Sequence, residues 1–415
     1  MTNRIFYGWW IVSSCFLIAL YVSTVVFFGF TAFFEPLVKE FGWSYTQISF
    51  AMSLRGLEMG IMSPLIGFLV DRFGSRKLMF FGVITVGIGL ILLGFTKSLL
   101  MFYSAILFIS FGSGGCATVV TMTVVVNWFR RNLGKALGLM SSGFGASGLL
   151  LPLIILLIDT YGWRAAVIIL GVVMWGIGIP LTLVIRDRPE QMGLFPDGIP
   201  PDEEMLHGTD EKVTIRFTDA LRDRAFLYLC LAEAIRFMAV ASVAIHIMPY
   251  LSSVGISRGV AGLIAAAIPL SSIVGRVAFG WLSDIFDTRR VAATAFGFLT
   301  VGMLNLCYVG AGWLPIVLFL LLFSPGFGGI AVLRGSIIRE YYGTHYFGKL
   351  IGIIMGFAAI GGIIGPTLTG WIFDRFEEYS FAWLGFSACS ILAVVLILRM
   401  NHGAHGSADA EPIKL

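Results

Sequence analysis

Charge is scarce in this sequence. Only 13% of its 415 residues are Asp, Glu, Lys or Arg, about half of what a soluble domain carries. A water-facing globular surface cannot be built from so few, so the soluble classes are excluded. Cysteine and histidine are scarce as well, at five each. Cys15, Cys116, Cys230, Cys307 and Cys389 stand singly and far apart in apolar runs, which excludes a disulfide framework and a metal-ligand cluster. No nucleophile–base constellation is present, so neither an enzyme nor a cofactor is expected. A cleavable signal peptide is not expected either. The first apolar run is too long for one and has no small-residue cleavage site. Net charge is only +4, and no nucleic-acid partner is expected.

What is abundant is apolar side chain, at 58%, and glycine, at 50 positions. Small residues let membrane helices approach closely, and the lipid bilayer is the expected surround. Twelve apolar segments can be marked, near 7–34, 46–70, 78–96, 100–126, 135–158, 164–185, 225–252, 258–283, 291–311, 314–338, 348–373 and 380–399. Each is long enough to span as a helix. The predicted class is an all-α membrane protein of twelve transmembrane helices in two six-helix bundles. The bundles are expected at 1–186 and 225–400, with a central loop at 187–224 and a polar tail at 401–415. Of the loop Lys and Arg residues, nineteen fall on the side holding both termini and the central loop. Five (Lys39, Lys97, Arg164, Arg258, Arg375) fall on the other. Positive charge stays inside, so a cell inner membrane with both termini cytoplasmic is expected.

The two halves repeat at an offset of about 213. Gly67-Phe-Leu-Val-Asp71 with Arg76-Lys77 recurs as Gly280-Trp-Leu-Ser-Asp284 with Arg289-Arg290, and Gly134-Lys135 with Gly138 and Pro152 recurs as Gly348-Lys349 with Gly352 and Pro366. Repeated halves with a substrate between them near the midplane are the arrangement of a secondary transporter. Gly112-Ser-Gly-Gly115 is not a phosphate loop. It lacks the Lys and Ser/Thr of that motif and lies within an apolar segment, where it reads as close helix packing.

Six charges lie clearly inside the segments, away from their ends: Arg55, Glu58, Glu233, Arg236, Arg276 and Arg334, a sum of four positive minus two negative, or +2. Arg55–Glu58 and Glu233–Arg236 are spaced i,i+3 and can pair along their own helices. They serve either to hold the halves in register or, through Glu58 or Glu233, to carry a proton. Arg276 and Arg334 have no such neighbour. Arg276 is eight residues inside Asp284, roughly 12 Å deep and close to the middle of a ~30 Å core. A lone guanidinium in a cavity suits a carboxylate. Arg334, six residues from Glu340, is read either as a second contact or as an inner-vestibule residue paired with a loop acid. His246 is a further proton carrier by its ordinary pKa, or a packing residue. Tyr21, Phe28 and Phe327 are placed to line an apolar pocket.

Gly67-Phe-Leu-Val-Asp71-Arg72-Phe-Gly74-Ser-Arg76-Lys77 resembles the loop 2–3 signature of the major facilitator superfamily at every position. Phe6-Tyr-Gly-Trp-Trp10 and Asn127-Trp-Phe-Arg-Arg-Asn-Leu-Gly-Lys-Ala136-Leu-Gly138 look like the two signatures of the monocarboxylate transporter family. Arg276, Gly280 and Asp284 are similar both to that family and to the oxalate:formate antiporters. The resemblance implies the major facilitator fold. It implies a cytoplasmic latch at Gly67, Asp71, Arg72, Gly74, Arg76 and Lys77 and their repeat at Gly280, Asp284, Arg289 and Arg290. It also implies that Arg276 binds the substrate carboxylate. Two positions depart from the relatives: Ser272 stands where the animal family often has aspartate, and Ile351 to Trp371 lacks the oxalate carrier's lysine. The second departure favours one carboxylate per substrate. The expected function is proton-coupled transport of a small organic anion, a lactate- or pyruvate-like monocarboxylate, by alternating access. The alternative is an anion exchanger of the oxalate:formate kind or an exporter of larger organic anions.

Overall fold

A bilayer offers the backbone no hydrogen-bond partners, so each apolar run must satisfy its own amides by coiling into a helix. The structure, a computed structural model, describes residues 6–28, 32–43, 45–200 and 217–400, leaving aside the side chains at 27–28, 34–35, 45–46, 49–59, 151, 258 and 311. The side chains of Phe28, Arg55 and Glu58 lie outside that description, as do residues 201–216 of the central loop and the tail from 401. No strand occurs among the described residues.

The N-terminal half holds α1 (Tyr7–Val22, continued by a π turn to Phe28), α2 (Phe34–Phe41), α3 (Tyr45–Phe73), α4 (Ser75–Gly94), α5 (Leu99–Gly115), α6 (Thr118–Trp128), α7 (Leu133–Ala146) and α8 (Leu151–Val184). Gly162, at φ 78°, breaks α8 where the fifth and sixth predicted segments meet. A short helix α9 (Phe217–Arg222) leads into the C-terminal half: α10 (Arg224–Ser253), α11 (Arg258–Ser283), α12 (Thr288–Leu306), α13 (Trp313–Tyr342), α14 (Phe347–Phe376) and α15 (Ser380–Leu398). Among the described residues, nine helical stretches are long and apolar enough to cross a membrane. The second, fifth and ninth predicted segments are helical as well, as α3, as α7 running on into α8, and as α12.

Within the N-terminal half α4 packs on α5 and α8, and α1 packs on α7. Within the C-terminal half α10 packs on α14 and α15, and α13 packs on α11 and α12. The principal contacts between halves are α3 on α14 and α7 on α11. Both depend on glycine. A Cβ on Gly352 of α14 would stand 2.6 Å from the Ser63 carbonyl of α3, and one on Gly138 of α7 would stand 2.5 Å from the Arg276 carbonyl of α11. Any larger residue would push the halves apart.

The basic end of both interfaces is closed by the same device. Asp71, near the end of α3, accepts from the amides of Gly348 and Lys349, each at 3.0 Å. Asp284, at the end of α11, accepts from the amides of Gly134 at 2.6 Å and Lys135 at 2.9 Å. Those amides are in the first turns of α14 and α7, helices that have no side-chain cap of their own. Each half therefore caps a helix of the other, where a carboxylate also meets the positive end of the helix dipole. Arg339 of α13 adds a bond to the Phe129 carbonyl across the same end. The basic residues of the motif turn elsewhere: Arg72 lies over Phe73 at 5.5 Å, and Arg289 donates to the Met400 carbonyl at 2.7 Å. Gly74 takes φ 86° at the turn, and the Asp187 carboxylate caps α4 through the Arg76 amide at 2.9 Å.

Replacing Asp71 or Asp284 by alanine should weaken this closure by about 1 kcal/mol each, roughly additively because they act on different helix pairs. Spin-label distances between α3 and α14 and between α7 and α11 will measure it. A double variant whose distance distribution matches wild type would rule the two carboxylates out as the latch.

Candidate functional site: a buried arginine cluster in the C-terminal half

Three helices of the C-terminal half bring their charges to one place. Glu233 and Arg236 come from α10, Ser272 and Arg276 from α11, and Phe327 and Arg334 from α13. The i,i+3 spacing on α10 does what a helix predicts: Arg236 places Nε at 2.9 Å and Nη2 at 2.7 Å from Glu233 Oε2. Arg334 reaches the same oxygen with Nη1 at 3.5 Å. Arg334 therefore pairs across helices with Glu233, where the sequence offered a loop acid such as Glu340. All four charged groups are buried, Glu233 at 0% exposure, Arg236 at 1%, Arg334 at 4% and Arg276 at 7%. Three arginines and one carboxylate leave 3 − 1 = +2 in a space shielded from water.

Arg276 is the least neutralised of the three. Among the described residues it has a hydrogen bond to Ser272 Oγ, 3.4 Å from Nε, and a cation–π contact with the Phe327 ring, 5.5 Å from Cζ. Phe327 also lies 5.8 Å from Cζ of Arg236, so one ring face or edge serves two guanidiniums. Phe237 supports Arg236 from its other neighbour at 4.6 Å. Such contacts recover part of the free energy lost when a cation leaves water. The position of Arg276 is set by backbone packing. Its carbonyl lies against Gly138 of α7, while the α11 backbone at Ser272 and Gly275 meets Gly328 and Pro325 of α13. With glycine at each of these close contacts to α7 and α13, α11 has little freedom to rotate the guanidinium away.

Tyr21 and His246 lie apart from this cluster. The Tyr21 hydroxyl donates to the Leu170 carbonyl at 2.6 Å and ties α1 to α8. His246 places Nε2 3.1 Å from the Pro366 carbonyl of α14 and its ring 5.7 Å from Tyr379. It stands ten residues beyond Arg236 on α10, roughly 15 Å along the axis. Phe327, picked for position alone, is the aromatic that belongs to the arginines. Ser272 and Phe237 join the arginines without having been expected there from the sequence. Ser272 carries a sequence signal, since it stands four residues before Arg276 on the same helix face.

Two helical halves are joined by repeated capping carboxylates, and one of them buries an arginine with no carboxylate partner among the described residues. Residues 15–253 and 229–414 each match the model of the Major Facilitator Superfamily. The chain belongs to that superfamily, and it is a multi-pass membrane transporter, not an enzyme. It is similar to monocarboxylate transporter 4 of Rattus norvegicus, 24% identical over 403 residues, covering 95% of this chain and 83% of the relative. It is similar also to monocarboxylate transporter 12 of Homo sapiens, 26% identical over 414 residues, covering 92% and 78%. Its fold resembles the proton:xylose symporter XylE, with TM-score 0.76 at 14% identity and 95% of each chain covered. It resembles the human organic anion transporter MFSD10 with TM-score 0.73 at 13% identity, covering 94% of this chain and 99% of that one.

Removing Glu233 strands Arg236 and Arg334 without a counter-charge. Glu233→Ala should cost about 3–5 kcal/mol of stability, read as a drop in thermal unfolding temperature in detergent. Glu233→Leu combined with Arg236→Leu should recover part of that loss. A double variant as unstable as Glu233→Ala would show that packing, not charge, sets the penalty.

Proposed function

We propose that this protein is a secondary active transporter for a small monocarboxylate of the lactate or pyruvate type, moved together with a proton by alternating access across the cell inner membrane, with both termini cytoplasmic. The observation that carries this reading is Arg276, a buried guanidinium in a +2 cluster with no carboxylate partner among the described residues. A planar guanidinium offers a carboxylate two parallel hydrogen bonds. One bound anion takes the cluster from +2 to +1, so loading the site lowers the electrostatic penalty of enclosing it. Phe327 faces Arg276 and supplies the apolar wall for the short carbon tail.

His246 is the proton carrier we favour among His246, Glu58 and Glu233. Its Nε2 is engaged by Pro366, and its second ring nitrogen can take a proton. Glu233 is engaged by two arginines, and releasing it would leave three buried cations unbalanced. Exchange of organic anions is the second reading, and the same +2 supports it. A +2 cluster whose charge one anion lowers favours a carrier that reorients only when loaded.

The test is uptake of labelled lactate and pyruvate into proteoliposomes under an imposed pH gradient. Arg276→Lys should insert normally and lose at least tenfold in uptake, since an ammonium cannot make the two parallel bonds. Normal uptake by that variant would remove Arg276 from the site. Counterflow that ignores pH would replace symport by exchange, and failure of every monocarboxylate to enter would overturn the substrate class.

A further inference from the structure

The Arg236–Glu233–Arg334 group is not saturated. Arg236 and Arg334 both bond Glu233 through Oε2. The second carboxylate oxygen, Oε1, is buried with no hydrogen-bond partner among the described residues, and so is Nε of Arg334. Glu233 is 0% exposed and Arg334 4% exposed. A buried polar atom left unpaired carries a real penalty, and two of them on side chains already in contact share one neighbourhood. One is an acceptor and the other a donor. Arg276, facing the same cluster, brings the group that would hold a carboxylate.

Chemistry restricts what can fill both unpaired atoms at once. A carbonyl oxygen accepts from Arg334 Nε–H but leaves Glu233 Oε1 unpaired. A second carboxylate meets Glu233 with like charge. A methylene satisfies neither. A hydroxyl both donates and accepts, matching the acceptor Oε1 and the donor Nε–H; water does the same, and a substrate hydroxyl would take its place. We infer that Glu233 Oε1 and Arg334 Nε form a hydroxyl-reading subsite beside Arg276, which makes this transporter selective for short 2-hydroxy acids over the corresponding 2-oxo acids and unsubstituted acids. The inference rests on Arg276 being the carboxylate grip. It adds to that reading a discrimination at the carbon next to the carboxylate.

Three acids of equal chain length test it: propionate, 2-hydroxypropionate and 2-oxopropionate. They differ at the second carbon alone. Binding of each is measured by calorimetry on the purified full-length protein in nanodiscs at neutral pH. In the wild type, 2-hydroxypropionate should bind about tenfold more tightly than either of the others, as the loss of one or two buried hydrogen bonds requires. Glu233→Gln then changes the sign. Only the amide oxygen can face the two guanidiniums, so the amide nitrogen takes the place of Oε1 and an acceptor becomes a donor. The variant should prefer 2-oxopropionate to 2-hydroxypropionate.

Equal wild-type binding of propionate and 2-hydroxypropionate would overturn the subsite while leaving the monocarboxylate reading standing. That comparison needs no variant, so it holds even if Glu233→Gln fails to fold. A Glu233→Gln protein that weakens all three acids alike would also overturn the subsite, because it would make Glu233 a purely structural counter-charge. If none of the three acids binds the wild type, the monocarboxylate reading falls and the subsite with it.

Discussion

A single carboxylate oxygen, Oε2 of Glu233, receives two arginines in a space from which water is excluded. Burying charges in hydrocarbon is tolerable only when they are paired or face a cavity. One glutamate cannot balance three arginines, and the surplus defines the centre of the C-terminal half. The aromatic contacts of Phe237 and Phe327 ease the surplus without cancelling it. Everything around the cluster holds it in place: α10, α11 and α13 must keep a fixed rotation for the charges to meet, and their packing partners supply that rotation.

The same helix connects the charges to the capping contact between halves. α11 carries Arg276 and, eight residues later, Asp284. Asp284 caps α7 at the basic end, and the Arg276 carbonyl rests against Gly138 of that same α7. A rigid helix thus touches both the proposed binding site and the closure between halves, so a tilt that opens one must disturb the other. The matching contact on the other side, α3 to α14 through Asp71, has no arginine at the corresponding position, where Ser63 stands. Closure is symmetric between the halves, and the described charge cluster is confined to one of them.

What could be read in one dimension was local or periodic. Arg276 was visible because a charge inside an apolar run needs no partner to be noticed. The Glu233–Arg236 bond follows from helical spacing alone. The capping contacts between halves are foreshadowed because their glycines and aspartates repeat at a constant offset. The bond from Arg334 to Glu233 was not visible. The two residues are 101 positions apart, and whether they meet depends on the rotation of two helices that are apolar nearly all round. Such helices have little amphipathic pattern to declare which face is inward. That is also why position alone offers Tyr21 and Phe327 equally, yet Phe327 lies against the arginines while Tyr21 ties α1 to α8.

The sequence by itself determined that the chain is helical, membrane-embedded, built from two repeated halves and furnished with deep arginines. Those properties follow from composition, segment length and repeated motifs, which are carried by the chain in order. The tertiary structure alone decided which charges neutralise one another, which carboxylate caps which helix, and which buried polar atoms stay unpaired. Those outcomes depend on contacts of a few ångströms between helices distant in sequence. They are set by where glycine lets two backbones touch.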